Sequence, residues 1–311
     1  MEAMILSFNA IFPLLAFMML GYFLGRVKLI DQNAAAGINK LVFNVLLPAN
    51  IINSIYKANL QDDFDIKIAL FAAFICLSSF LIISFVVNKK EPDKTIAPVM
   101  AQGMFKSNYN LLIIPIAGSF CGTALGMAAI LVMVTTPILN TCSTIAFETA
   151  RGKGVSVPHI LKKVILNPLV LSSIIAVLIN LSGIKIPAVI SSGVIEKLSS
   201  MATPAAMIAL GMGFDFESMK KWKTRLSIIC FVKLIIMPIV YVSIALLCGI
   251  RGANLIAMLI LSGGPTAVNS YSTAVALGGN GELAGEIVAL TSLLSVLSLF
   301  VFLTAIAGWV I

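Results

Sequence analysis

The chain has 311 residues, of which 59% are hydrophobic and 11% are charged, whereas about 25% of the residues in an ordinary soluble domain are charged. So few charged side chains cannot cover a water-soluble fold of this length, and the composition therefore excludes a soluble globular protein. The net charge of +8 lies mostly in short connections between apolar segments. In a membrane protein that pattern is an orientation signal, and no nucleic-acid partner is expected.

Ten apolar segments are long enough, at about 20 residues each, to cross the hydrocarbon core of a bilayer. The first carries Glu2, continues to Arg26 and lacks a basic leader, so it is predicted to be a span and not a removable signal. The predicted spans are 5–25, 38–56, 66–87, 96–119, 123–147, 162–182, 192–213, 225–249, 253–278 and 283–309. The connections are too short for a soluble domain, so a single membrane transporter domain is expected over 1–311, with the lipid bilayer as its partner.

The basic residues predict the orientation of these spans. If the N-terminus lies outside, the inward connections carry 14 basic residues and the outward connections carry 5. Because basic residues accumulate in cytoplasmic connections, both termini are predicted on the non-cytoplasmic side of the cell (plasma) inner membrane.

The two halves of the chain match weakly at an offset of about 156 residues. Pro48 corresponds to Pro204, and the motif SNYN at 107–110 corresponds to NSYS at 269–272. These matches predict internal repeats at approximately 1–150 and 160–311. A repeat with an odd number of spans has opposite orientations in the two halves, which is the architecture of many secondary transporters.

Spans four and nine concentrate turn-forming and polar residues at mid-depth, in GMFKSNYN and SGGPTAVNSYST. We expect both helices to be broken there and to cross, which leaves main-chain groups free to bind a substrate. A pair of kinked, closely packed helices is the alternative. The predicted fold is an all-α polytopic membrane protein with ten transmembrane helices, an inverted five-plus-five repeat, and broken, crossing helices four and nine.

Several segments, by their order and spacing, resemble the auxin efflux carrier family, which includes plant PIN-type carriers and bacterial carriers of malate and malonate. They are FPLLAFMMLGYFLGRVKLID, GINKLVFNVLLPANII, SNYNLLIIPIAGSFCG, NPLVLSSIIAVL, TPAAMIALGMGF and GGPTAVNSYSTAVALGGN. The resemblance covers nearly the whole chain, and it implies the ten-span inverted repeat, a substrate site at the crossing, elevator-like alternating access and a homodimer. A Pro-Asn pair of PIN-type members falls here on Ser107 and Asn108, and Lys106 replaces a small uncharged residue of bacterial members, which argues against an indole acid such as auxin.

Lys106 is the most informative residue, because it lies about ten residues into span four, roughly 15 Å from its start. At that depth the side chain cannot snorkel to the interface, and an uncompensated charge is costly. No Asp or Glu lies at the middle of a predicted span, so we expect a carboxylate substrate to compensate it, with a protein carboxylate as the alternative. For Lys233, nearer the inner end of span eight, partial snorkelling or a wet cavity is the expected explanation, and substrate contact stays open.

Neutral amides and hydroxyls near the crossing can orient a carboxylate without adding charge. The predicted substrate-binding residues are Lys106, Ser107, Asn108, Tyr109, Asn110, Pro265, Thr266, Asn269, Tyr271 and Asn44. The alternative is that the amides satisfy the main chain of the broken helices, above all for Asn44. Glu282 and Glu286 begin span ten and are predicted to be a solvated helix start, while coupling to protons or sodium is left open.

The function predicted is secondary active transport of a small organic anion such as malate or malonate. An auxin-like weak-acid efflux carrier, a channel and a non-transporting sensor of the same fold are the alternatives. A membrane-embedded enzyme is not expected, because the one histidine, His159, lies in a connection and no metal cluster, Ser-His pair or phosphate loop is present. No cofactor and no metal site are expected.

Overall fold

A computed structural model of the chain describes residues 2–30, 32–57, 65–109, 124–150, 157–214 and 216–309. These ranges are almost entirely helical and contain no strand, apart from a single antiparallel bridge between Ser107 and Thr266. The predicted all-α class is therefore confirmed for the described residues.

The helices of the first half, numbered here in chain order, are α1 (Glu2–Arg26), α2 (Gln32–Leu41, a π-helical turn at Val42–Leu46, and Leu47–Tyr56), α3 (Ile66–Lys90), α4 (Ala97–Phe105) and α5 (Ala124–Ala150). Those of the second half are α6 (Val157–Leu166), α7 (Pro168–Ser182), α8 (Ala188–Ile190, a π-helical turn at Ser191–Ile195, and Glu196–Met212), α9 (Phe216–Lys221), α10 (Lys223–Phe231, a π-helical turn at Val232–Ile236, and Met237–Leu247), α11 (Gly252–Gly263), α12 (Asn269–Ala276) and α13 (Gly281–Ile306).

Among the described residues, five helices are long and apolar enough to cross a membrane, namely Asn33–Tyr56, Ile66–Lys90, Leu131–Ala150, Lys223–Leu247 and Gly281–Trp309. A sixth span results if α6 and α7 are counted as one bent helix. The chain is thus a multi-helix membrane protein, while the count of ten spans and the inverted repeat stay predictions.

The predicted span 162–182 differs from the structure, because α6 and α7 meet at a bend of 63°. The side chain of Asn167 accepts a hydrogen bond of 2.9 Å from the main-chain nitrogen of Leu169. Pro168 follows it at the first helical position, where its missing N–H costs nothing. An Asn-Pro pair therefore ends one helix and begins the next.

Most of the helices are assigned here to two groups. The first helix group consists of α1, α2, α7 and α8, and the second consists of α3, α4, α5, α10, α11, α12 and α13; the two groups also contact each other, above all through α1 with α13 and α5 with α7. Within the first group α1 and α8 come so close that a Cβ atom on Gly211 would overlap the carbonyl oxygen of Met18. Such close helix packing through glycine is typical of membrane proteins, where small residues let two helix backbones approach.

Polar contacts join the connections at each end of this bundle. At one end Arg225 pairs with Glu91, with 2.8 Å between Nε and Oε2. At the other end Lys57 pairs with Glu196, with 2.6 Å between Nζ and Oε1. Connections predicted to be inward meet at the first end and those predicted to be outward at the second. Which end faces the cytoplasm stays a prediction from the basic residues.

Candidate functional site: a cavity at the crossing of two helix breaks

Two interruptions of the helical backbone define the candidate site. Helix α4 ends at Phe105, and Lys106 then adopts an extended conformation with φ −92° and ψ 110°. Helix α11 ends at Gly263, and the extended Gly264 leads into Pro265, which has no N–H to continue the helix. The breaks therefore occur within the two predicted spans that concentrate turn-forming residues at mid-depth.

The two breaks lie against each other and share main-chain hydrogen bonds. The nitrogen of Asn108 donates to the carbonyl oxygen of Pro265 at 2.7 Å, and the nitrogen of Ala267 donates to the carbonyl oxygen of Lys106 at 3.2 Å. These bonds form a short antiparallel pairing of Ser107 with Thr266. Main-chain groups that neither helix satisfies are thereby paired in the interior.

Each break also caps the helix end of the other. The hydroxyl of Ser107 donates to the carbonyl oxygen of Ile260 in α11 at 3.1 Å. The hydroxyl of Thr266 donates to the carbonyl oxygen of Gly103 in α4 at 2.6 Å. Thr266 thus satisfies a terminal carbonyl of α4, and Ser107 adds a second bond to a carbonyl of α11 that also accepts from the nitrogen of Gly264, so both hydroxyls hold the crossing together.

A cavity of about 170 Å³ lies beside this crossing, between the two helix groups. The first helix group contributes side chains of α2 and α8, and the second contributes α5, the first break and the start of α12. The lining residues are Leu47, Asn50, Ile51, Ser54, Thr203 and Ala206 from the first group, and Lys106, Ser107, Asn108, Tyr109, Val132, Thr136, Leu139, Asn140, Ala267, Val268 and Asn269 from the second.

Four polar side chains of this lining have a buried atom with no hydrogen-bond partner in the described part of the chain. They are the ammonium of Lys106, the amide nitrogens of Asn108 and Asn140, and the amide oxygen of Asn269. The assignment of oxygen and nitrogen in each amide follows from its hydrogen bonds, so an amide can turn to present either group. The cavity is therefore rich in donors, the arrangement that a carboxylate requires.

Lys106 is the only charged residue among the described residues of the lining, and its side chain is buried, with 3% of the residue exposed. No carboxylate is among these described lining residues, and the adjoining sequence 110–123, which lies outside the described residues, contains no Asp or Glu. A buried ammonium without a partner is costly in an apolar environment. The site therefore has a strong physical preference for a bound anion.

Comparison with known proteins identifies the class. A family model described as a membrane transport protein matches residues 6–303. The chain belongs to this family, the auxin efflux carrier family. An uncharacterized transporter of Methanothermobacter thermautotrophicus is 23% identical over 297 residues, which cover 94% of this chain and 96% of the relative. The uncharacterized transporter YfdV of Escherichia coli is 28% identical over 268 residues, 81% of this chain and 82% of the relative. YfdV of Shigella flexneri shows the same identity and coverage.

This family membership confirms the resemblance found in the sequence, and the coarse function, membrane transport, follows from it. The structure brings together five of the predicted substrate-binding residues at the cavity: Lys106, Ser107, Asn108, Tyr109 and Asn269. Tyr109 is held by a hydrogen bond of 2.6 Å between its hydroxyl and that of Thr136. Asn110 lies outside the described residues.

Pro265 and Thr266 belong to the crossing but do not line the cavity. Thr266 is fully buried, with its main-chain nitrogen 3.1 Å from the hydroxyl of Thr291. Tyr271 is also absent from the lining, and its hydroxyl lies 3.5 Å from the carbonyl oxygen of Ala209. In this transporter these three residues belong to the structure around the site and do not line the cavity.

Asn44 is not brought to the cavity. Its exposed side chain donates to the carbonyl oxygen of Lys40 at 2.8 Å. The cavity face of α2 carries Leu47, Asn50, Ile51 and Ser54, and an α-helical register would also place position 44 on that face. The π-helical turn that contains Asn44 shifts this register. No sequence pattern predicted this turn.

Sequence reasoning missed several polar lining residues, namely Asn50, Ser54, Thr136, Asn140 and Thr203. Asn140 is the most notable, because it is 3% exposed and its amide nitrogen has no partner among the described residues. An asparagine within an apolar span is a signal that could have identified it. Asn50, in contrast, also bonds the hydroxyl of Ser199 at 3.1 Å and so joins α2 to α8.

Two expectations about charged residues are wrong. Lys233 does not snorkel, because its residue is 0% exposed and its ammonium donates to the carbonyl oxygen of Ser262 at 3.2 Å. Glu282 is partly exposed and pairs with Lys221 at 3.0 Å, but Glu286 is 1% exposed and does not form a solvated helix start. Near its start α13 packs against α12 and α4, with Gly285 close to Tyr271 and Ile287 close to Gly103, which covers Glu286 although it is only the sixth residue of α13.

Proposed function

We propose that the protein is a secondary carrier of a small organic anion, a mono- or dicarboxylate such as malate or malonate, bound at the cavity beside the crossing. The observation that carries this proposal is the buried ammonium of Lys106, which faces the cavity with no partner among the described residues. A carboxylate would neutralise it and accept further hydrogen bonds from the amides of Asn108 and Asn140. A second carboxylate or a hydroxyl group of the substrate would accept a hydrogen bond from Asn269, whose amide can turn to donate.

The size of the cavity supports a small substrate. Its volume of about 170 Å³ is below the roughly 300–1,000 Å³ that is usual for sites of drug-sized ligands. A carboxylate of three or four carbon atoms suits this volume better than an indole acid. An auxin-like substrate is therefore the second candidate within the family, and it requires a wider cavity.

The position of the cavity supports alternating access. Lys106, Asn108, Asn140 and Asn269 all belong to the second helix group, whereas α2 and α8 of the first group form the opposite wall. Movement of the second group past the first would carry the bound anion from one side of the membrane to the other, as an elevator-type mechanism requires. The anion compensates Lys106 during this movement, so the loaded carrier has a lower barrier than the empty one.

The test is counterflow of radiolabelled malate, malonate and other small carboxylates in liposomes that contain the purified protein. We expect saturable counterflow for the wild type, and its loss in Lys106→Gln, which removes the charge and keeps a polar chain. Asn44→Ala is the matched control, because Asn44 is exposed and remote from the cavity lining, and it should carry at the wild-type rate. Binding without exchange would indicate a sensor, and currents far above carrier turnover would indicate a channel; either would contradict the proposal.

The orientation is tested separately. With both termini on the non-cytoplasmic side, Lys90 and Lys221 react with a membrane-impermeant amine reagent only from the cytoplasmic side. Labelling of either residue in intact cells would reverse the proposed topology.

A further inference from the structure

Lys233 is a second buried lysine, and it has no role in the proposed function. It lies in the π-helical turn Val232–Ile236 of α10, and the residue is fully buried. It is absent from the cavity lining, so it does not face the substrate site. A π-helical turn inside a helix is frequently a functional feature, since it displaces one residue from the regular helix face.

The ammonium of Lys233 is directed at the end of a half-helix. Its nitrogen lies 3.2 Å from the carbonyl oxygen of Ser262, in the last turn of α11, which ends at Gly263. The carbonyl end of a helix carries a partial negative charge of about half an elementary charge. The ammonium is thus held at an electronegative point in the interior, beside the crossing.

The two half-helix ends at the crossing have different sets of hydrogen-bond donors. Each receives one hydroxyl, from Ser107 at α11 and from Thr266 at α4. In the described ranges only the end of α11 also receives a lysine side chain, because the ammonium of Lys106 has no partner there. The charge at α11 is therefore an additional feature and is not part of the reciprocal capping.

We propose that Lys233 is a tethered cation that fills the place of a coupling ion. Secondary transporters built on broken helices bind Na⁺ with unwound carbonyls and with the C-terminal ends of half-helices. Here a covalently attached ammonium takes such a place at α11, so the protein needs no sodium for folding or for transport. The part of this inference that concerns transport rests on the proposed function, and the part that concerns cation binding does not.

Thermal unfolding of the purified protein tests the cation site without any transport assay. Lys233→Ala removes the ammonium and leaves a space beside the Ser262 carbonyl. We expect the unfolding temperature of this variant to rise with the concentration of methylammonium chloride, relative to the same concentration of N-methyl-D-glucamine chloride, as mass action requires. The wild type should unfold at the same temperature in methylammonium, sodium and N-methyl-D-glucamine chloride.

Lys106→Ala is the matched control, because it also removes a buried ammonium, but one that donates to no helix-end carbonyl among the described residues. It should gain no stability from methylammonium. Stabilisation of the wild type by sodium chloride, relative to N-methyl-D-glucamine chloride, would overturn the inference. So would the absence of any stabilisation of Lys233→Ala by methylammonium or by sodium.

Counterflow then separates this inference from the proposed function. Wild-type counterflow should be equal in sodium-containing and sodium-free media, and dependence on sodium would overturn the tethered cation. Failure of all carboxylate counterflow would overturn the proposed function and leave the unfolding result to decide on the cation site. If Lys233→Ala cannot be purified, Lys233→Met fills the space without charge, and its counterflow should fall by about tenfold or more. Counterflow by Lys233→Met at the wild-type rate would overturn the inference.

Discussion

Replacement of Lys106 by methionine should stabilise the substrate-free protein while abolishing substrate binding. The two side chains are both unbranched, so the change removes the charge and leaves most of the packing. The ammonium of Lys106 is buried and has no partner among the described residues, and a lysine at the centre of a transmembrane helix costs about 3 kcal/mol. Relief of most of this cost predicts a gain of about 2 kcal/mol and a rise of about 5 °C in unfolding temperature.

The assay is thermal unfolding in detergent, with and without the carboxylate that gives the strongest counterflow. The wild type should gain stability as the substrate concentration rises, since a ligand that binds only the folded state stabilises it by mass action. Lys106→Met should begin at a higher unfolding temperature and gain nothing from the substrate. The difference in unfolding temperature between the two proteins should therefore shrink as the substrate concentration rises.

Lys233→Met is the matched comparison, because Lys233 is equally buried but donates to the carbonyl of Ser262. Its replacement leaves a buried carbonyl unsatisfied, which costs about 1–3 kcal/mol, so this variant should unfold at a lower temperature than the wild type. A lower unfolding temperature for Lys106→Met as well would refute the reasoning. It would show that the ammonium of Lys106 has a structural partner in the substrate-free protein and is not available to bind an anion.

Three further predictions follow from single contacts. Asn140→Leu should raise the half-saturating substrate concentration in counterflow about tenfold or more, since a hydrogen bond to a charged group contributes about 1.5–3 kcal/mol. Gly211→Ala should lower the unfolding temperature by forcing α8 from the Met18 carbonyl, at a cost of about 1–3 kcal/mol. Arg225 holds the pKa of Glu91 below its usual range, so the roughly 1 kcal/mol from this pair is complete above a pH of about 4.3. It is lost as the pH falls through the lower pKa of the folded protein.

Each of these has a control in the same chain. Asn44→Leu alters an exposed amide away from the cavity and should leave the half-saturating concentration unchanged. Gly37→Ala adds a methyl group where no atom lies within 4 Å, so it should not lower the unfolding temperature. For the ion pair, the difference in unfolding temperature between the wild type and Glu91→Gln should shrink as the pH falls below about 4.3. Equal behaviour of test and control variants would contradict the corresponding contact.

The positions of the two breaks at the crossing were predictable, because they depend on local chemistry. Gly264 and Pro265 interrupt a helix through main-chain flexibility and a missing N–H, whereas Ser107 and Asn108 disfavour a helix because their side chains compete for main-chain hydrogen bonds. The helix rise per residue places Lys106 roughly 15 Å into span four, and this depth in the bilayer stays a prediction. These properties need no knowledge of the rest of the fold.

The faces of the helices were not predictable to the same degree. Asn44 and Asn140 were both amides in apolar spans, yet only Asn140 faces the cavity. A π-helical turn in α2 and the packing of α5 against α2 and α7 of the first helix group decide this difference. Apolar residues face both lipid and the interior of a membrane protein, so hydrophobic periodicity does not distinguish the two faces.

The sequence by itself determined that this protein lies in a membrane, where two of its spans break, and that Lys106 belongs to a predicted span with no Asp or Glu at its middle. Only the tertiary structure decided which polar side chains meet that lysine, and that Lys233 serves the end of α11 and does not reach water. The reason is physical. Span length and helix breaking follow from local composition and main-chain chemistry, whereas the partner of a buried charge depends on contacts between residues far apart in the chain.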